Sequence, residues 1–156
     1  MKHFCSFSEA IREGAKIRPQ AFFGYVRGGG TCALGAGLEA ILDRPLSADE
    51  CATKEGLRSI VQAADFWNRY HYLRTETVAP CDCRVVSGFR EWGGGDNTST
   101  RLDNLIVHLN NDHKWTREQI ADWLESEEEK LGFVTISESP VEAESSESVL
   151  VSIASK

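Results

Sequence analysis

The stretch from Thr31 to Asp43, TCALGAGLEAILD, limits the fold more than any other part of the chain. It is rich in Ala33, Gly35, Ala36, Gly37 and Ala40. Each mid-helix glycine costs roughly 1 kcal/mol relative to alanine. Close packing must offset that, because small side chains let another element approach the helix backbone. The segment is therefore expected to be the central buried helix. Thr31 is its expected N-cap, after the flexible loop Arg27-Gly28-Gly29-Gly30.

Other helices are marked by their caps. Ser6 with Glu9 forms a capping box, and Phe7, Ala10, Ile11 and Ile17 recur at helical spacing until Pro19. AFFGYV (21–26) is an apolar, strand-like connector. Pro45 breaks the chain, and Ser47 with Glu50 opens a helical segment from Ala48 to about Tyr72. A break is expected at Gly56, and Leu57, Ile60, Val61, Ala64 and Trp67 form the inner stripe. From Thr75 to Asn97, β-branched residues, Pro80 and four glycines point to a small hairpin or knuckle with a Gly loop. Thr98 or Ser99 is expected to cap a short helix carrying Leu102, Leu105, Ile106 and Leu109, ended by Asn110-Asn111-Asp112. Thr116 with Gln119 opens the last helix, REQIADWLESEEEKL, which stops at Gly132. The expected fold is mainly α: a small helical domain over 1–132, a short β-hairpin or zinc-knuckle insert at 76–97, and a disordered acidic tail over 133–156.

A chain of 156 residues suits one domain with one core. No run nears the ~18 apolar residues of a membrane span, so no membrane is expected among its partners. The net charge of −7 is uneven: residues 125–156 carry eight acids against two lysines, and residues 1–124 are nearly neutral. From Ser137 onward the sequence is Ser- and Glu-rich without an aromatic residue, a composition that cannot bury enough apolar surface to order itself. Within it, VLVSI is the one segment able to pair as a strand or dock on a partner. The stretch from Phe66 to Arg117 interleaves aromatics with seven bases, but six acids lie among them. A local nucleic-acid contact is thus possible but not favoured over a protein partner. The N-terminus shows no apolar signal region, and five cysteines, an odd number, suit a reducing, cytoplasmic setting.

Reduced cysteines need a role, and Cys81-x-Cys83 followed by His108-x4-His113 supplies one. Structural zinc takes four thiolate or imidazole ligands in a tetrahedron, commonly two from a knuckle and two histidines a few positions apart. The histidine pair obeys that spacing. The cysteine pair is one residue tighter than usual, so its strand must kink. With four protein ligands the metal would be structural, leaving no position for an activated water. The plain alternative is a core or solvent-facing His108, a turn-capping His113, and two small hairpin thiols.

Cys32 offers a different chemistry. It follows three glycines at a helix entry, where the N-terminus stabilises a thiolate. That placement resembles the nucleophile position of papain-like cysteine hydrolases. His108 or His113 would serve as base, with Asn110, Asn111 or Asp112 orienting it. A buried thiol on a small-residue packing face is the competing reading. The zinc and hydrolase readings exclude each other, because a metal-bound imidazole cannot act as a base. The loop from Arg27 to Thr31 has the backbone donors to cradle an anion, yet lacks P-loop spacing and reads best as a linker. Glu127-Glu128-Glu129 reads as a solvated helix end.

Two segments, CALGAGLEAI and HLNNDHKWTREQIADWLE, resemble small uncharacterised bacterial and phage proteins that pair a CALGA helix with an HLNDxHxWxREQIADW segment. The resemblance covers about a third of the chain, at residues 32–41 and 106–125. Such proteins would carry a C-P-x-C knuckle ahead of the HLND turn. Here the order is Pro80-Cys81-Asp82-Cys83, with the proline displaced. The resemblance implies a shared architecture, with phage or mobile-element origin, and no particular reaction.

The expected function is that of a small intracellular accessory or binding protein with a structural zinc ion and a macromolecular partner. A Cys32-dependent hydrolase is the alternative, and nucleic-acid contact through the insert a weaker one. Truncation at Ser137 should leave the unfolding free energy within about 0.5 kcal/mol of the full chain in urea denaturation; a larger loss would make VLVSI part of the fold.

Overall fold

The computed structural model describes residues 1–81 and 99–133. Seven α-helices and two short antiparallel hairpins make up the described part, so the fold is mainly α. All of the expected tail except its first residue, Phe133, lies outside the described residues, as do the Gly loop of the insert and Cys83.

Helix α2 (Ala33–Leu42) is the centre: every residue from Ala33 to Ile41 is buried. An apolar helix with no polar face must be covered all round, and α1 (Phe7–Ala15) supplies the closest cover. A Cβ on Gly14 would overlap the Ala36 carbonyl, and one on Gly37 would overlap the Phe7 ring. The small residues thus bring two helices within backbone distance. Ser6 caps α1 by accepting from Glu9 N–H at 3.1 Å, while the Glu9 carboxylate takes Cys5 N–H at 3.0 Å rather than closing a box on Ser6.

Thr31 is not the cap of α2. It belongs to a strand, β2 (Gly30–Thr31), paired with β1 (Val26–Arg27). The loop between them is Gly28-Gly29, with φ of 56° and 81°, so the expected flexible loop is a two-residue hairpin turn that needs φ > 0 at both positions. The register moves the cap one residue on, to Cys32, whose Sγ accepts Gly35 N–H at 3.4 Å.

The helical segment expected from Ala48 to about Tyr72 is divided into α3 (Ala48–Ala52), α4 (Lys54–Ala63), α5 (Phe66–Arg69) and a 3-10 turn over His71–Arg74. Its first break falls at Thr53, not Gly56. Thr53 leaves the helical conformation to cap α4, accepting Gly56 N–H at 3.0 Å. Of the expected stripe, Ile60 and Ala64 are fully buried. Ser47 and Thr116 form full capping boxes as expected.

Strand β3 (Glu76–Val78) pairs antiparallel with β4 (Ser99–Arg101), Glu76 opposite Arg101 and Val78 opposite Ser99. Ser99 is therefore a strand residue and does not cap the next helix, while Thr98 lies outside the described residues. Helix α6 (Leu102–Asn111) starts directly from the ladder with Arg101 at its N-cap. Helix α7 (Arg117–Lys130) follows, and Gly132, at φ 77°, ends the last turn. Phe133 folds back to stack on Tyr72 at 4.4 Å between ring centroids. Leu102, Leu105, Ile106 and Leu109 of α6 and Ile120 and Leu124 of α7 complete the core with Phe7, Ile11, Leu38 and Ile41.

Buried polar groups fasten these helices. Glu128, expected to face solvent, is fully buried. From the last turns of α7 it accepts Phe7 N–H at 2.8 Å, Ser8 N–H at 3.3 Å, and the Ser8 and Tyr72 hydroxyls. A carboxylate there answers the orphan donors and partial positive charge at the start of α1. Arg117 donates to Thr31 Oγ1 (3.1 Å) and to the carbonyls of Ala15 (3.3 Å) and Arg18 (2.7 Å). Gln20 joins the connector to the α6–α7 junction through Trp115 O at 2.7 Å and Arg117 N–H at 3.1 Å.

Gly14→Ala should destabilise the protein by about 2–4 kcal/mol, since the added methyl meets backbone that cannot rotate aside. Chemical denaturation checks this: a loss below about 1 kcal/mol would show that the α1–α2 approach can relax.

Candidate metal centre

Three of the four expected metal ligands converge. Cys81 stands three residues beyond β3, after Pro80. His108 is on the last turns of α6 and is 4% exposed. His113 follows the C-cap Asp112, whose N–H still bonds His108 O at 2.8 Å. The chain then reverses sharply: Lys114 takes a left-handed conformation (φ 56°) and Trp115 N–H closes the bend on Leu109 O at 3.0 Å. That reversal lays the His113 ring against His108, with centroids 4.8 Å apart at 80°.

The donor atoms fall into ligand-like positions. Cys81 Sγ lies 3.5 Å from His108 Nε2, and His113 Nε2 lies 3.1 Å from the same atom. One ligand atom from each residue lies within 4.8 Å of the others. Zn–S near 2.3 Å and Zn–N near 2.0–2.1 Å at the tetrahedral angle imply S···N edges of about 3.5 Å and N···N edges of about 3.3 Å. Both direct separations match those edges. Cys83, the expected fourth ligand, lies outside the described residues.

Asp112 adds what the ligand spacing alone does not show. Its carboxylate lies 2.7 Å from His108 Nδ1. A carboxylate can only accept there, so Nδ1 carries the proton and Nε2 presents its lone pair towards Cys81 and His113. Metal-bound imidazoles are oriented in this way. The i, i+4 spacing of His108 and Asp112 on a helix was the available signal; the sequence reading gave Asp112 an orienting role only beside Cys32.

Cys32 stands apart from this cluster. It borders a cavity of about 320 Å³ together with Leu34, Ile106 and Asn110, and no histidine lines it. Both ring nitrogens of His108 face other partners. The thiol accepts Gly35 N–H, and backbone donors at the helix start favour the thiolate, but burial outweighs them and pushes the thiol up to about 11. The expected lowering at a helix entry is thus reversed, because the thiol is largely buried, at 7% exposure. Cys5, Cys32, Cys51 and Cys81 are all free thiols. Among the described residues no helix is long and apolar enough to cross a membrane.

The Cys32 thiol makes a pH prediction with a definite sign. In the unfolded chain it ionises near 9, while in the folded protein it keeps its proton to about 11. The unfolded state therefore loses a proton first, and stability falls as pH rises across that window. The loss from this group should reach about 2–3 kcal/mol, measured as the difference between wild type and Cys32→Ala in urea denaturation from pH 8 to 11. Parallel curves would overturn the assignment.

No known family, no curated protein and no solved structure matches the chain.

Proposed function

We propose that this protein is a small accessory or binding protein whose helical body is braced by one structural zinc ion. Cys81, His108 and His113 hold the ion and Cys83 completes the tetrahedron. The observation that carries this reading is the convergence of Cys81 and the two histidines, with two of the three donor separations at zinc-site edge lengths and all three within 4.8 Å, from a strand exit, a helix end and the following turn.

Zinc suits the donor set, since two thiolates and two imidazoles are soft to borderline ligands and four of them leave no vacancy for chemistry. The ion's work is mechanical. The β3–β4 insert is tied to the α6–α7 bend by one metal in place of a larger core, and the thiols stay reduced in a cytoplasmic setting. A protein partner is favoured over nucleic acid by the near-neutral body, which gives little counterion release. The acidic C-terminal segment and the aromatic, Arg-bearing insert are the surfaces such a partner would meet.

Protein purified without added metal should contain about one zinc per chain by elemental analysis. Cys81→Ser and His113→Ala should each lose it, and chelation should lower stability by about 2–3 kcal/mol, a Tm drop of roughly 5–10 °C. Asp112→Ala should keep the stoichiometry but weaken zinc ten- to a hundredfold in a competition assay. Metal-free protein whose Tm ignores chelator would end the proposal.

A further inference from the structure

The cavity beside Cys32 serves no part of the metal reading. Its floor is the first turn of α2, its far wall is Ile106 and Val107 of α6, and the 23–25 connector closes the near side. At about 320 Å³ it falls within the range of small-molecule sites, roughly 300–1,000 Å³. No Lys, Arg, His, Asp or Glu lines it. Apart from the Lys114 ammonium, held outside on the Phe23 ring, no charge among the described residues borders it, and an ion entering would shed its hydration without meeting a counter-charge inside, so the chemistry selects a neutral occupant.

The side-chain amides on its wall are largely engaged. Asn110 gives its Nδ2 to Ala21 O (3.1 Å) and Asn111 Oδ1 (2.9 Å), and its own Oδ1 accepts Gln20 Nε2 at 3.1 Å. Asn111 Oδ1 also accepts Phe23 N–H at 2.8 Å. Among the described residues, no hydrogen bond engages Asn111 Nδ2 or the Tyr25 hydroxyl, and both are donors for an acceptor on the occupant.

The cover is unusual. Phe23 is 59% exposed and holds φ 61°, a conformation that side-chain-bearing residues disfavour. Lys114, at φ 56°, places its Nζ 3.8 Å from the Phe23 ring centroid and 4.7 Å from that of Phe22. Two disfavoured backbone conformations therefore meet in one contact at the cavity mouth, as at ligand clamps. Their cost is borne where it keeps an apolar ring over an apolar recess.

We propose that this cavity is a binding site for a neutral, mainly apolar small molecule of one or two rings, with a hydrogen-bond acceptor for Asn111 and Phe23 as its lid. The site shares no lining residue with Cys81, His108 or His113, so it stands or falls apart from the zinc reading.

Acetophenone and benzoate, alike in size, the first neutral and the second an anion, test it on the full chain by amide NMR titration. Acetophenone should give saturable shifts confined to residues 23–25, 32–34 and 106–111, with benzoate at least tenfold weaker. Val107→Phe, which fills the recess, should weaken acetophenone at least tenfold. Phe23→Ala, a change at an exposed side chain, should weaken it several-fold. Acetophenone should also slow alkylation of Cys32, mapped by mass spectrometry, and leave exposed Cys5 unaffected. Failure of wild type to saturate, equal binding of benzoate, or wild-type affinity in a folded Val107→Phe variant would each overturn the proposal.

Discussion

The approach of α1 to α2 at Gly14 and Ala36 is the contact on which the remaining structure depends. Once two helices lie within backbone distance, every other element must be arranged around an axis with no polar face. Helix α7 covers α1 from the outside. Arg12 of α1 reaches Glu118, Asp122 and Glu125 across that seam, and Glu128 receives the first N–H groups of α1. The ion pairs on the rim are partly exposed and contribute little. Glu128 is different: it is buried and meets four donors, and although Phe7 N–H also reaches the Tyr72 hydroxyl and Ser8 Oγ also pairs with Ser6 Oγ, losing it would leave buried polar groups short of a partner.

The same packing sets up the α6–α7 bend. Helix α6 must end where Asn110 and Gln20 tie the connector to Trp115, and the chain has five residues in which to reverse. Asp112 and His113 occupy that reversal and His108 the end of α6 before it, so their relative placement is a by-product of closing the helical hairpin. The strand β3 then delivers Cys81 to the same point. A metal ion is suited to such a place because it adds strong, directional bonds where little apolar surface is available to bury. The cavity lies on the other side of α6, bordered by the connector that the bend holds down. Lys114 belongs to both features: its left-handed backbone makes the turn, and its ammonium holds the Phe23 ring.

Much of this was legible in the residues. Small side chains at 33–40 announced a central helix, Ser6, Ser47 and Thr116 marked three helix starts, and the His108/His113 spacing pointed to one shared ligand set. Each of these signals is local, resting on chemistry within a few positions. The errors came where a non-local pairing overrode a good local signal. Thr31 is a fair cap by type, but pairing with Val26 makes it a strand residue. Ser99 is lost as a cap because it pairs with Val78. Gly56 looks like a helix breaker, yet Thr53 one turn earlier has both the hydroxyl and the free backbone to start a new helix.

By itself the amino-acid order determined the mainly helical class, the buried centre, the β-type insert and the identity of the donor atoms, because periodicity, caps and side-chain chemistry are properties of short segments. Tertiary structure alone decided that Cys81 meets the two histidines, that Asp112 orients His108, that Glu128 is buried, and that Cys32 borders a recess with its thiol held neutral. Those outcomes depend on which distant backbones exclude water from a given side chain, and exclusion of water is a property of the packed whole.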